Sequence, residues 1–212
     1  DAASEEYMEE FFNIGADIAI FSAHKFMGSL TAGILAGKKK YVKNIYLQNL
    51  GIGRGMKVGK EAIYAAIIGV ENWYKRDWKK EINNQNKILQ FWLTFLAKEK
   101  FKGITYEIIA DPTGNKINRL RVHVDFKISK FTIQSLCYYL EKNNPSIFVR
   151  DDLIHLKHFE LDTCNLKEGQ EKIIMNELKK IILRLKSKKI KNNISQKEYA
   201  IKSNKDWLSW LN

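Results

Sequence analysis

Residues 16–21 read as a strand buried on both faces, and the run Ile18-Ala19-Ile20-Phe21 breaks off into Ser22-Ala23-His24-Lys25-Phe26-Met27-Gly28. A short continuous apolar run closed by small and turn-forming residues is the pattern of an interior strand that empties into a loop. Such a strand constrains the fold strongly, because it needs neighbours along its edges and layers over both faces. It also puts a lysine where the chain leaves the interior. An amine at that boundary can be desolvated and act as a nucleophile. A lysine that lays its stem on apolar surface and keeps its head in water fits the same pattern.

The glycine-rich segment Gly51-Ile52-Gly53-Arg54-Gly55-Met56-Lys57-Val58-Gly59-Lys60-Glu61 invites phosphate-binding readings, and two fail on spacing. A Walker A loop needs Gly-x4-Gly-Lys-Ser/Thr, but counting back from Gly59-Lys60 gives Arg54 and the next residue is Glu61. A dinucleotide fingerprint begun at Gly51 or Gly53 puts Met56 or Val58 where its third glycine belongs. What remains is a mobile loop carrying Arg54, Lys57 and Lys60 ahead of a helix, suited to a phosphate or carboxylate.

Four elements occur in order: Asp1-Ala2-Ala3; Ser22-Ala23-His24-Lys25; Gly28-Ser29-Leu30-Thr31-Ala32-Gly33-Ile34-Leu35-Ala36-Gly37; and Gln48 to Glu61. Together they resemble pyridoxal-phosphate enzymes of the aspartate-aminotransferase fold. The last resembles the G-I-G-R-x-M-K-V-G-K-E signature of a branch holding D-glucosaminate-6-phosphate ammonia-lyase-like proteins and related to bacterial selenocysteine synthase. The resemblance covers residues 1–74. It implies pyridoxal 5'-phosphate as cofactor, held by Lys25 as a Schiff base, with Asp1 beside the pyridine nitrogen and Ala3 against the ring face. An ionised Asp1 would favour the protonated ring, which draws electron density from a substrate carbanion. Lys25 would then move a proton at the substrate α-carbon.

By the same resemblance, Ser22 is a candidate phosphate contact and His24 a hydrogen-bond partner of cofactor or substrate. A small residue in a tight turn and a histidine capping a strand end are their plainer readings. Arg54 and Lys57 are the preferred anion contacts, and Arg150 is the positional candidate for a substrate carboxylate or else a surface arginine at a strand end.

The implied fold class is α/β: the carboxyl-terminal part of a pyridoxal-phosphate-dependent transferase-like large domain, followed by a small α+β domain. The expected division is 1–74 partial cofactor-binding domain, 75–100 interdomain helical segment, 101–186 small domain and 187–212 basic tail. The chain opens at a residue that should end an interior strand, so a carboxyl-terminal half is expected, inactive without its amino-terminal half. The implied function is a lyase: α,β-elimination from an amino acid or phosphorylated amino sugar acid. The alternatives are a catalytically inactive remnant or interaction module, and a selenocysteine-synthase-like transferase acting on a charged tRNA. The expected partners are a small anionic amino-acid-like substrate and a second copy or complementing half.

Beyond residue 59, in-phase Ala62, Ile63, Ala66, Ile67 and Val70 predict a helix, and helical pattern resumes from Ile88 to Leu96. With no proline before Pro112, one long or broken helix is expected. Strands are predicted at Tyr106–Ile109, Leu120–Val124, Ile147–Arg150 and Ile154–Leu161, and helices over 131–143 and from Leu166 to about Leu185. His155, His158 and Cys164 lie close in sequence, but strand parity turns the two histidines to opposite faces, so no metal site is expected.

Only Cys137 and Cys164 occur, which suits a reducing compartment such as the cytoplasm. No apolar run is long enough for a membrane span, and no membrane partner is expected. The net charge is +12, of which the stretch from Lys179 to Asn212 contributes +8. That stretch reads as a helix end and a loose solvated tail, with Trp207 and Trp210 able to dock it back. The charge is far in sequence from the proposed site, so a nucleic-acid partner is not expected.

Overall fold

The structure, a computed structural model, describes residues 3–209. It separates into two compact units, one of residues 1–81 with 112–116, the other of residues 82–111 with 117–212.

In the first unit, α1 (Glu5–Asn13) begins where the Ser4 hydroxyl accepts the Tyr7 N–H. That N-cap satisfies one of the donors a helix start leaves open. β1 (Ile18–Ser22) and β2 (Gly33–Gly37) pair antiparallel, with Ile18 opposite Gly37 and Ser22 opposite Gly33. A Cβ on Gly37 would stand 2.3 Å from the Asp17 carbonyl, so the strand end closes only on glycine. Next come α2 (Lys39–Leu47), two 3-10 turns over Gln48–Leu50 and Ile52–Met56, and α3 (Lys60–Tyr74).

A small core of Phe21, Met27 and Trp73 joins these pieces, flanked by Tyr7, Met8, Phe11, Phe26 and Trp78. Rings meet edge to face, with centroids 6.1 Å apart for Phe11 and Phe21 and 6.2 Å for Trp73 and Trp78. The expectation that residues 16–21 are buried on both faces does not hold. Among the described residues β1 pairs only with β2, and Ile20 is 72% exposed while Phe21 is buried. Burial on both faces needs a second covering layer, which the described residues do not form around Ile20.

The helical segment after residue 59 is interrupted. α3 stops at Tyr74 and α4 (Trp78–Glu99) restarts after Asp77, whose carboxylate accepts the Lys80 N–H at 3.0 Å. Arg76 fixes the break: its fork grips Glu81 at 2.7 and 2.9 Å, and its face lies 4.3 Å from the Trp78 ring.

The second unit is built on β3 (Ile104–Ala110), β4 (Asn118–Val124) and β5 (His158–Asp162), antiparallel in that order. The sequence Asn-Arg-Leu-Arg-Val-His-Val of β4 alternates, so Leu120, Val122 and Val124 enter the core while Arg119, Arg121 and His123 share the other face. The core draws on α4, α6 (Ile133–Glu141) and α7 (Gln170–Lys186), with Trp92, Leu136, Phe159 and Leu178 buried. A short helix α5 (Phe126–Ser129) follows β4, capped by Asp125.

Three local expectations change. Ile147–Arg150 forms no strand beyond a single bridge from Arg150 to Glu160. Residues 154–161 are not one strand: Ile154–Leu156 is a 3-10 turn ended by Lys157 at φ 64°, and β5 starts only at His158. The parity argument about His155 and His158 therefore loses its premise. Lastly, the stretch expected to be loose contains α8 (Gln196–Leu208), anchored by buried Ile194 and Tyr199 in the core. The Thr132 hydroxyl donates to the Ile194 carbonyl at 2.9 Å, which ties that segment to the start of α6. The Trp207 side chain and all of Trp210 lie outside the described residues.

Where α3 crosses the loop after β1, Gly69 allows the closest approach. A Cβ there would stand 2.9 Å from the Met27 carbonyl oxygen and 3.0 Å from the Ser29 Cβ. Helix propensity alone would make Gly69→Ala stabilising by up to about 1 kcal/mol. We expect the opposite, a loss of about 1–3 kcal/mol from overpacking against backbone. A thermal melt decides: a raised Tm for Gly69→Ala would remove this contact from the account.

Candidate functional site

Lys25 occupies an exposed position in the turn that follows β1. The turn is closed by backbone bonds. The Ala23 N–H donates to the Ala32 carbonyl, the Ser29 N–H donates back to the Ala23 carbonyl, and the Gly28 N–H donates to the Lys25 carbonyl, each at 2.9 Å. Gly28 sits at φ 65°, in the left-handed region, which lets the loop reverse. Ala23 is fully buried, Met27 and Phe26 pack on Trp73, and the Arg76 guanidinium donates to the Phe26 carbonyl at 2.7 Å. The lysine stem thus rises from a loop whose flanks are fixed on both sides. Ser22 is half-buried and His24 is exposed in the same turn. The Ser29 hydroxyl is buried there without a hydrogen-bond partner among the described residues.

Asp1 lies outside the described residues. Ala3 is buried, and its N–H donates to the Asn115 side-chain oxygen at 3.0 Å. Asn115 in turn donates to the Thr113 hydroxyl at 2.9 Å, and Tyr7 donates to the Thr113 carbonyl. The chain entering α1 is thereby strapped to the 112–116 loop. This strap was missed in the sequence, since nothing local links positions 3 and 115.

Arg54 and Lys57 are both exposed, on the second 3-10 turn and the segment that leads into α3. Neither side chain makes a hydrogen bond or ion pair among the described residues, so both cations are available to an anion. Beside them β2 and α3 frame an apolar groove of about 400 Å³, lined by Ile34, Val58, Ala62, Ala66 and Val70.

Arg150 belongs to the second unit and is already engaged. Its Nε donates to Asp162 at 2.8 Å, while its backbone bridges Glu160. It joins an ionic network on the polar sheet face. Arg119, 7% exposed, pairs with Asp111, with Glu160 at 3.3 Å and with Asp162 at 3.2 Å, and Arg121 pairs with Glu160 at 3.0 Å. Removing one partner of such a buried set costs on the order of 3–5 kcal/mol. The strand register that brings Arg119 opposite Asp162 and Arg121 opposite Glu160 sets it up. Asp162 is held below the usual carboxylate range: burial pushes it up, but the Cys164 N–H and Arg150 outweigh that.

His158, 5% exposed, sits opposite His123, their ring centroids 5.2 Å apart. Burial, then the Arg121 and His123 charges, hold its pKa below the ordinary histidine value. The unfolded chain therefore takes up this proton first, and stability is complete above about pH 6.5 and lost as pH falls below it. We expect the wild-type unfolding free energy to drop between pH 7 and 5 more steeply than that of His158→Gln. Equal slopes in urea titrations would show that His158 carries no such linkage.

Comparison with known proteins fits this layout. Residues 2–98 match the family model for SelA, L-seryl-tRNA selenium transferase. Over 183 residues the chain is 28% identical to D-glucosaminate-6-phosphate ammonia lyase of Salmonella typhimurium (strain 14028s / SGSC 2262), covering 85% of this chain and 47% of that protein. Over 184 residues it is 28% identical to 5'-C-glycyluridine monooxygenase-decarboxylase of a Streptomyces species, covering 86% of this chain and 45% of that protein. A solved structure of D-glucosaminate-6-phosphate ammonia-lyase superposes with a TM-score of 0.63 at 26% identity, covering 86% of this chain and 48% of that one. The chain spans about half the length of the curated relatives it matches.

Proposed function

From the premise that this chain is a selenium-transferase-like member of the pyridoxal-phosphate fold family, related to D-glucosaminate-6-phosphate ammonia lyase, we propose that it is the lysine-bearing half of a lyase. Its substrate is a small amino-acid-like anion, an amino acid or a phosphorylated amino sugar acid. The observation that carries this reading is Lys25 on a loop locked by Ala23, Ser29 and Arg76. An attachment lysine must present its amine in one place, and a turn pinned to α3 does so.

The residues present fit pyridoxal 5'-phosphate in part. Lys25 supplies the attachment amine and half-buried Ser22 a hydroxyl for the phosphate, whereas Ala3 is already covered by the protein and keeps only the role that the resemblance gives it. The unsatisfied Ser29 hydroxyl in the same turn fits a polar ligand nearby. When bound, the cofactor supplies the electron sink that makes the substrate α-proton removable. Lys25 Nζ removes that proton, and His24 donates a hydrogen bond to the bound pair. Asp1 keeps the role that the resemblance gives it. Arg54 and Lys57 hold the substrate anion, and its orientation follows from two cations rather than one. Arg150, whose Nε donates to Asp162, keeps the candidate role that the resemblance gives it through its exposed terminal nitrogens.

The half of the relatives that this sequence does not span, or a second copy, would complete the site. Exposed Ile20, Ile63 and Ile67 and the groove beside β2 are the surface it would cover. Burying such side chains is worth about 1.5–3 kcal/mol each.

Two measurements test the reading. The chain is mixed with pyridoxal 5'-phosphate, alone and with its complementing half, reduced with borohydride and digested. We expect a pyridoxyl mass concentrated on the peptide holding Lys25 and absent in Lys25→Ala. Label scattered over surface lysines, unchanged in the variant, would favour the inactive-remnant reading. In the assembled enzyme, Arg54→Ala or Lys57→Ala should raise KM about tenfold or more while kcat changes less, as loss of a charged ground-state contact does. An unchanged KM would take the loop out of the substrate site.

A further inference from the structure

The second unit gathers lysines from three separate segments onto one end. The loop holding Lys100 and Lys102 meets α5 where the Asp125 N–H donates to the Gly103 carbonyl at 2.9 Å. A Cβ on Gly103 would stand 2.4 Å from the Ser129 nitrogen, so this contact is close. The segment after α7 meets the end of α5 through the Asn192 amide, which donates to the Lys130 carbonyl at 2.9 Å. Lys186 at the end of α7 lies 5.4 Å from the Phe101 ring, and burial and then the charge of Lys102 push its ammonium pKa down. Like charges are thus crowded together by the fold.

Two further features mark this end. Among the described residues no carboxylate lies within ion-pair distance of Lys100, Lys102, Lys127, Lys130, Lys186, Lys188 or Lys189, whereas Lys179, Lys191 and Lys202 are paired with Glu99 or Glu198. Lys100, Lys130 and Lys188 also hold left-handed backbone positions at helix ends, where glycine is favoured. In the middle stands α5 with its polarity reversed. Ser129 is buried, its hydroxyl donating to the Phe131 carbonyl, while Phe126 and Ile128 are 50% and 57% exposed.

We propose that this end of the second unit docks on an anionic lipid surface, Phe126 and Ile128 entering the headgroup layer and the lysines meeting lipid phosphates. Two exposed apolar side chains on one helical turn, among ammonium groups, match an acidic bilayer in both polarity and charge. Lysine stems lie along apolar surface with their heads in the polar layer, which suits this boundary. RNA fits less well, since α5 offers a single stacking face, Phe126, and the patch is made of lysine rather than forked arginine. The contact is peripheral: among the described residues no helix is long and apolar enough to cross a membrane.

The test is cosedimentation of the full chain with vesicles of phosphatidylcholine alone or mixed 3:1 with phosphatidylglycerol, at low and high salt. About 1 kcal/mol per surface lysine predicts that Lys186→Gln/Lys188→Gln/Lys189→Gln weakens binding to acidic vesicles by roughly a hundredfold. Phe126→Ser/Ile128→Ser should weaken it at least about tenfold by removing buried apolar groups. All these positions except Lys186 are exposed, and a thermal melt of each variant confirms that it folds. Binding to acidic vesicles only, lost in high salt and in both variants, supports the proposal. No binding, equal binding to neutral vesicles, binding untouched by the variants, or affinity for a 20-nucleotide RNA without affinity for vesicles overturns it.

Discussion

The first unit depends on the approach of α3 to the turn after β1, an approach possible because position 69 carries no side chain. The contact fixes the Met27 and Ser29 backbone against a helix whose Trp73 joins Phe21 and Met27 in the small core. Ala23 then closes the loop from the opposite side, accepting from Ser29 and donating to Ala32. With both flanks held, the freedom left at Lys25 is that of its own side chain. The backbone that carries Lys25 is thus fixed, which is what the proposed use of its amine would need.

The two units handle their polar groups differently. The second unit turns one sheet face into an ordered set of charges, with Arg119 and Arg121 opposite Asp162 and Glu160, and packs the other face into its core. That set pairs its charges, Arg150 included, although the buried Arg121 Nε has no hydrogen-bond partner among the described residues. The first unit leaves Arg54 and Lys57 uncommitted and several large apolar side chains in water, as the second does at its α5 end. Charges without partners and apolar surface without cover are what a binding site and an interface need, whereas a closed ionic network mainly holds a sheet together.

Much of this was legible in the sequence where the signal was local. The hairpin of β3 and β4 follows from alternation around Asp111-Pro112-Thr113-Gly114, and α6 and α7 from their apolar spacing. The lysine turn announced itself by composition. The break between α3 and α4 was harder, since no proline marks it; it depends on Asp77 capping and on Arg76 reaching Glu81 and Phe26. The stretch after residue 187 looked loose because its lysines outnumber its apolar groups. Two well-placed anchors, Ile194 and Tyr199, suffice to fold it back, and the Tyr199 hydroxyl donates to Asp151 at 2.5 Å. The buried role of Arg119 could not be read locally, since it comes from strands paired across forty residues of chain.

Native-state hydrogen exchange tests the central claim most directly, because it reads the turn without altering it. If the loop is locked as described, the Ala23, Gly28 and Ser29 amides exchange as slowly as those in the middle of α3, opening only when the unit unfolds. If they exchange as fast as the exposed amides near Arg54 and Lys57 while α3 stays protected, the lysine is not held by the fold. The account of this chain as a positioned-amine half-site would then be wrong.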